Sequence, residues 1–107
     1  MKIRSFAKGG VQIDFDNGKT ISIMFSPGTY GSNYNTPFER VHAGVTDYPS
    51  EREAKTCEVA VFDTEGDQWY YPYNLNPVGE EDGHTHVEGY VSVEKVLAMI
   101  QDVKEMP

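Results

Sequence analysis

Two stretches of alternating apolar and polar residues, each interrupted by a turn sequence, constrain the fold of this chain more than any other feature. In the first stretch, apolar residues occupy every second position on both sides of an Asn-Gly dipeptide: Val11, Ile13, Phe15, Ile21, Ile23 and Phe25. A two-residue Asn-Gly turn is a strong hairpin signal, but here it would place the two apolar rows on opposite faces of the sheet. A three-residue loop, 16–18, instead pairs Ile13 with Ile21. The sequence therefore predicts a hairpin with Gly18 in a left-handed bulge.

The second stretch predicts another hairpin of the same kind. Apolar residues alternate at Cys57, Val59 and Val61 before an Asp-Thr-Glu-Gly-Asp turn, and Gln-Trp-Tyr-Tyr follows the turn. A three-residue loop, 64–66, would pair Val61 with Trp69. In that register Trp69 shares the apolar face, and Tyr70 points outward.

The last third of the chain predicts a strand followed by a helix. One strand face would carry Thr85, Val87 and Val91, and the other His84, His86, Glu88 and Tyr90. Ser92 is suited to cap the helix that follows. The helix should bury an apolar stripe at helical spacing, made of Val93, Val96, Leu97, Ile100 and Val103. A further strand is predicted at 3–7.

These elements predict an α+β fold in a single domain, 1–107. A mostly antiparallel sheet built from hairpins would be covered on one face by the C-terminal helix. A chain of 107 residues is long enough for one modest core.

The charge balance disfavours direct binding to nucleic acid. Seventeen acidic residues against nine basic ones give a formal net charge of −8, and the basic residues are scattered along the chain. Phosphate recognition depends on clustered Lys and Arg. The start of the chain has no apolar run, which predicts neither a signal peptide nor a membrane span. Together with the single cysteine, this predicts a cytoplasmic protein.

A long segment without periodicity, Ser26 to Lys55, is the predicted working surface. Irregular connections longer than about 12–15 residues in compact domains tend to be functional or disordered, and the aromatic residues here argue against disorder. Tyr and Asn supply contact area and adaptable hydrogen bonds in binding loops. The predicted contact residues are Tyr30, Asn33, Tyr34, Asn35, Phe38 and Arg40. The alternative is that these rings fold back over the sheet and complete its core.

The nearest approach to a metal site is His84, His86 and Glu88. Residues two apart on a strand share a face, so two imidazoles and a carboxylate could converge on one ion. A solvated polar strand face explains the same alternation without a metal, and we predict no cofactor. Cys57 alternates with valines, which indicates a buried thiol and not a nucleophile.

Several segments resemble a family of small proteins encoded by bacteriophages and prophages. The similarity lies in the Ile-Ser-Ile-Met-Phe run at 21–25 with Gly28, Tyr30 and Asn33, in the Glu-Val-Ala-Val-Phe-Asp run at 58–63 with Gly66 and Trp69, and in the Val-Glu-Gly-Tyr run at 87–90 with Val96 and Ile100. The resemblance covers about two thirds of the chain; the segments 31–56 and 72–86 lie outside it. It implies an accessory protein that binds and blocks host machinery such as restriction or CRISPR complexes, or sequesters a nucleotide signal. It implies no catalytic residue.

The leading hypothesis is a non-enzymatic protein that binds and inhibits a host defence complex through the Tyr/Asn-rich loop. Its acidic charge favours a host protein with a basic surface, and such binding would weaken with salt. The alternative is a nucleotide sponge, in which Tyr rings stack a base and Arg40 or Arg52 contacts phosphate. A metal-dependent enzyme, a structural phage component and a homodimer stay open.

Overall fold

The computed structural model describes residues 1–6, 9–25 and 55–107, and these form one antiparallel sheet with a helix packed against it. The strands are β1 (Lys2–Ser5), β2 (Gly10–Asp14), β3 (Lys19–Met24), β4 (Thr56–Asp63), β5 (Trp69–Tyr70) and β6 (Glu88–Ser92). The helix α1 spans Val93–Lys104, and a short 3₁₀ turn spans Glu80–Asp82. The predicted α+β architecture with a C-terminal helix is confirmed. No helix among the described residues is both long enough and apolar enough to cross a bilayer.

The strands follow the order β1-β2-β3-β4-β5, and β6 also pairs with β4. Strand β4 is therefore central. It pairs with β3 along its length, with β5 at its C-terminal end and with β6 at its N-terminal end. The core lies between the sheet and α1, where valines and isoleucines of β3 and β4 pack against Val96, Met99 and Val103. At the far side of the sheet, β1 has β2 as its partner within the described part of the chain.

The first hairpin has the predicted register. Ile13 pairs with Ile21, and the Phe15 amide donates to the Lys19 carbonyl oxygen over 2.8 Å, which leaves residues 16–18 as the loop. Gly18 has a φ of 81°, the left-handed conformation that glycine adopts without a steric penalty. One apolar face results, as the parity of the pattern requires.

The predicted register of the second hairpin is wrong by one residue. Val61 pairs with Tyr70 and not with Trp69, and the Asp63 amide donates to the Gln68 carbonyl oxygen over 2.8 Å. The loop is therefore four residues long. This register turns Tyr70 into the core, where it is buried, while Trp69 stacks on Phe62 across the other face with ring centroids 4.8 Å apart.

The strand β6 begins later than predicted, at Glu88, and its pairing with β4 is irregular. Cys57 pairs with Val91 and Val59 pairs with Glu88, so the register shifts between them. Tyr90 takes a φ of 54° at this bulge. Because a bulge inserts one residue into the alternation, Val91 reaches the core while Val87 is exposed. The predicted Val87–Val91 face is therefore wrong.

Helix α1 begins as predicted but presents a different face to the core. The Ser92 hydroxyl oxygen accepts a hydrogen bond from the Lys95 amide, which confirms the predicted cap. Val96 and Val103 are buried, but Met99 takes the central place and Leu97 is 66% exposed. Helical spacing allows either residue to join Val96 and Val103, and Met99 is the one that lies fully buried in the core cluster. The substitution Leu97→Asp is therefore not expected to unfold the domain.

The turn of the first hairpin holds the end of this helix. The Asn17 side-chain amide donates to the carbonyl oxygens of Val103 over 2.9 Å and of Met106 over 3.0 Å, and its oxygen accepts from the Lys19 amide over 3.1 Å. The last carbonyls of a helix have no partner within the helix. Asn17 thus ties the first hairpin to the end of the helix, where the Val103 oxygen also accepts from the Met106 amide over 3.2 Å.

Candidate binding surfaces

The six contact residues predicted from the sequence lie outside the described residues. These are Tyr30, Asn33, Tyr34, Asn35, Phe38 and Arg40. Their role in binding stays a prediction. The surfaces formed by the described residues, 1–6, 9–25 and 55–107, offer other candidates.

The predicted metal-binding trio is not brought together. His86 and Glu88 form a hydrogen-bonded pair over 2.9 Å, and the His86 ring lies against Tyr71 with centroids 4.9 Å apart. His84 sits beyond the 3₁₀ turn with a φ of 66°, so it does not continue the strand alternation. In the part of the chain that the structure describes, no three metal-binding side chains form a group.

Cys57 lies in the core, as predicted. Its side chain is buried beneath the helix, and burial raises the pKa of the thiol. A thiol with a raised pKa is a poor nucleophile at neutral pH. Cys57 therefore contributes to packing.

A polar cluster of Lys19, Asp63 and Tyr70 closes one end of the sheet. The Lys19 ammonium lies 3.0 Å from Asp63, and the Tyr70 hydroxyl donates to the same carboxylate over 2.8 Å. The ammonium also lies 5.3 Å from the centre of the Tyr70 ring. Burial raises the pKa of Asp63, but hydrogen bonds from Lys19 and Tyr70 outweigh it and bring the pKa below its ordinary value. The three groups satisfy one another and join the two hairpins.

A second polar cluster surrounds Asp14 on the sheet face opposite α1. The Thr20 hydroxyl donates to this carboxylate over 2.8 Å, and the Arg4 guanidinium approaches it to 3.2 Å. Lys2 lies 4.0 Å away. Burial raises the pKa of Asp14, but the hydrogen bonds from Thr20 and Gln12 and the charge of Arg4 lower it below its ordinary value. Two cations thus share one carboxylate, which leaves this edge of the sheet locally positive.

An apolar groove lies between β1 and α1, on the core side of the sheet edge. It has a volume of about 450 Å³. Apolar side chains form most of its wall, namely Met1, Ile3, Ile13, Phe15 and Ile100. Gln101, Lys104 and Lys2 complete the lining, although the Lys2 ammonium reaches the other face of the sheet, 4.0 Å from Asp14. We call this feature the edge groove; its wall is mainly apolar, and Lys104 is the cation beside it.

The strand beside the edge groove is exposed along its whole length. All four residues of Lys2–Ser5 are exposed, and Ile3 is 65% exposed although it belongs to the apolar row of the sheet. An exposed edge strand next to apolar surface is a template for pairing with another chain.

The sequence carries one local signal for this surface. Lys2, Ile3 and Arg4 alternate charged and apolar residues in a single short strand. The neighbours that create the groove, such as Ile100 from the other end of the chain, become visible only in the folded structure.

No protein-family model, curated protein or solved structure matches this chain.

Proposed function

We propose that this chain is a non-enzymatic binding protein that contacts another protein through the edge groove. The observation that carries the proposal is the coincidence of an apolar groove of about 450 Å³ with an exposed edge strand. The cluster of Lys19, Asp63 and Tyr70 is satisfied internally and serves the fold. The Asp14 carboxylate is itself also satisfied, although two cations share it. The edge groove, by contrast, presents apolar side chains to solvent.

The identity of the partner rests on the resemblance to phage and prophage proteins. In that setting the partner is a host protein complex of the defence type, and binding blocks it. The predicted loop residues Tyr30, Asn33, Tyr34, Asn35, Phe38 and Arg40 would add a second contact. The predicted basic target matches the net charge of the whole chain, −8. Beside the edge groove, Lys2 and Arg4 share the single carboxylate of Asp14, so an acidic segment of the partner fits there.

Two residues of nearly equal exposure provide the test. Ile3 lines the edge groove at 65% exposure, while Leu97 lies on α1 at 66% exposure and does not line it. Affinity capture from bacterial lysate at low salt would compare the wild type with Ile3→Asp and Leu97→Asp. We expect a partner near one-to-one ratio with the wild type and Leu97→Asp, and its loss with Ile3→Asp. Thermal unfolding would verify that both variants are folded, since exposed substitutions usually change stability by less than about 0.5 kcal/mol.

A functional readout addresses the inhibitory role. Cells that carry a restriction or CRISPR system would express each variant, and plating efficiency of a restricted phage would be measured. Wild type and Leu97→Asp should raise the plating efficiency, and Ile3→Asp should not. Equal capture and equal plating for the two variants would contradict binding at the edge groove.

A further inference from the structure

The outward backbone groups of β1 follow from its pairing with β2. The Phe6 amide donates to the Gly10 carbonyl oxygen over 2.9 Å, which makes Phe6 and Gly10 a hydrogen-bonded pair. In an antiparallel ladder such pairs alternate, so Arg4 and Lys2 also direct their backbone groups toward β2. Ile3 and Ser5 therefore direct theirs away from β2. Two residues of β1 are set to hydrogen-bond an added strand.

The side chains of β1 divide between two chemically different faces. Ile3 points to the side of the edge groove, together with Ile13 of β2. Lys2 and Arg4 point to the opposite face, where their side chains are 71% and 53% exposed beside Asp14. Successive residues of an added strand would meet these two faces in turn. The matching strand alternates apolar and acidic residues.

A second copy of this chain is a poor occupant of the edge. Antiparallel pairing of two β1 strands about Ile3 would place Lys2 opposite Arg4. Pairing about Arg4 would place that residue opposite its own copy. Like charges directly opposite each other destabilise a sheet, so these two registers are unfavourable.

We propose that β1 accepts an extended segment of a partner protein as an added strand, with apolar residues entering the edge groove and alternate carboxylates facing Lys2 and Arg4. The proposal rests on the proposed function and specifies the partner's chemistry. Strand addition draws affinity from main-chain hydrogen bonds and specificity from alternate side chains. Charge complementarity selects an acidic segment, because two cations share the single carboxylate of Asp14.

Synthetic peptides with blocked ends test the chemistry of the segment. The probe is Glu-Val-Glu-Ile-Glu-Val-Glu, and the controls are the same peptide with Lys in place of Glu and a peptide of equal composition in block order. Titration would be followed by amide NMR shifts of residues 2–5 and 100–104. We expect the alternating acidic peptide to bind at least about tenfold more tightly than either control. In its complex, exchange of the Ile3 and Ser5 amides should slow, while exchange of the Lys2 and Arg4 amides should change little.

Substitutions at Ser5 test strand addition itself. Ser5→Pro removes an outward amide, and proline is tolerated at sheet edges where that group faces solvent. Ser5→Ala removes the hydroxyl and keeps the amide, so it is the matched control. Ser5→Pro should weaken the acidic peptide at least about tenfold relative to Ser5→Ala. If Ser5→Pro fails to fold, the exchange pattern of the wild-type amides decides the question.

The peptide and Ser5 experiments test the added strand, and the capture experiment with Ile3→Asp tests the proposed function. Preference for the Lys peptide, equal binding of all three peptides, or no binding would overturn the acidic segment. Equal binding by Ser5→Pro and Ser5→Ala, with no slowing at Ile3 and Ser5, would overturn strand addition. A dimer by light scattering that Ser5→Pro dissociates would assign the edge to a second copy. In each of these cases, if Ile3→Asp still fails to capture the partner from lysate, binding at the edge groove remains supported.

Discussion

The two hairpins of this protein have similar turn sequences, but only one of them has the register that the pattern predicts. In the first, the loop is 16–18 and Ile13 faces Ile21. In the second, the loop is one residue longer than predicted and Val61 faces Tyr70. The first has a clear apolar row on both arms, and a one-residue slip would expose every member of it.

The second hairpin has no such constraint on its returning arm. Trp69, Tyr70 and Tyr71 are consecutive aromatic residues, so either parity puts a large ring on the apolar face. We infer that a polar contact selects the register. With Tyr70 in the core, its hydroxyl donates to the Asp63 carboxylate, which also pairs with Lys19. Where apolar parity is ambiguous, a single buried hydrogen-bonded cluster can set the register.

The largest expected effect comes from the turn of the first hairpin. Asn17→Ala removes the side-chain amide that donates hydrogen bonds to the carbonyl oxygens of Val103 and Met106. An intramolecular hydrogen bond contributes about 0.5–1.5 kcal/mol net, and this substitution removes several. We expect the free energy of unfolding in urea to fall by about 1–3 kcal/mol. Glu65→Ala, at the exposed turn of the second hairpin, should change it by less than about 0.5 kcal/mol.

A smaller effect is expected at the residue that sets the second register. Tyr70→Phe removes the hydroxyl that donates to Asp63 while keeping the buried ring. We expect a loss of about 1 kcal/mol in urea unfolding. Tyr73→Phe is the control, because Tyr73 is exposed on the segment after β5. If both variants matched the wild type, the polar cluster would not be what selects the register.

The smallest effect is a change in acid sensitivity. The pKa of Asp63 lies below its ordinary value of 3.8 in the folded state. A carboxylate with a lowered pKa contributes stability above its unfolded pKa, and this contribution is lost as the pH falls through the folded pKa. Asp14 behaves in the same way. We expect urea unfolding of the wild type to lose stability below about pH 4.

Asp63→Asn should be less stable at neutral pH and should lose less stability between pH 5 and pH 3 than the wild type. Glu65→Gln, at an exposed turn position, is the matched control and should keep the wild-type slope. An unchanged slope in Asp63→Asn would show that the pairing with Lys19 and Tyr70 contributes nothing in acid.

The sequence determines those parts of the fold that depend on local alternation and capping. The first hairpin and the Ser92 cap follow from residues close together in the chain. The face of α1 does not, because Leu97 and Met99 both fit an apolar stripe, and only the packing in the folded protein buries Met99 and exposes Leu97. The edge groove could not be predicted either, since it joins Ile3 with Ile100 from the opposite end of the chain.

The hydrogen bonds of Asn17 also bear on the order in which the protein can fold during synthesis. They join a turn near the start of the chain to carbonyls 86 and 89 residues later. The first hairpin is synthesised long before those carbonyls. Until the C-terminal helix has been made, the hairpin lacks both these hydrogen bonds and the helix that covers its apolar face. The apolar face of the hairpin therefore stays uncovered by α1 until residue 106 has emerged from the ribosome.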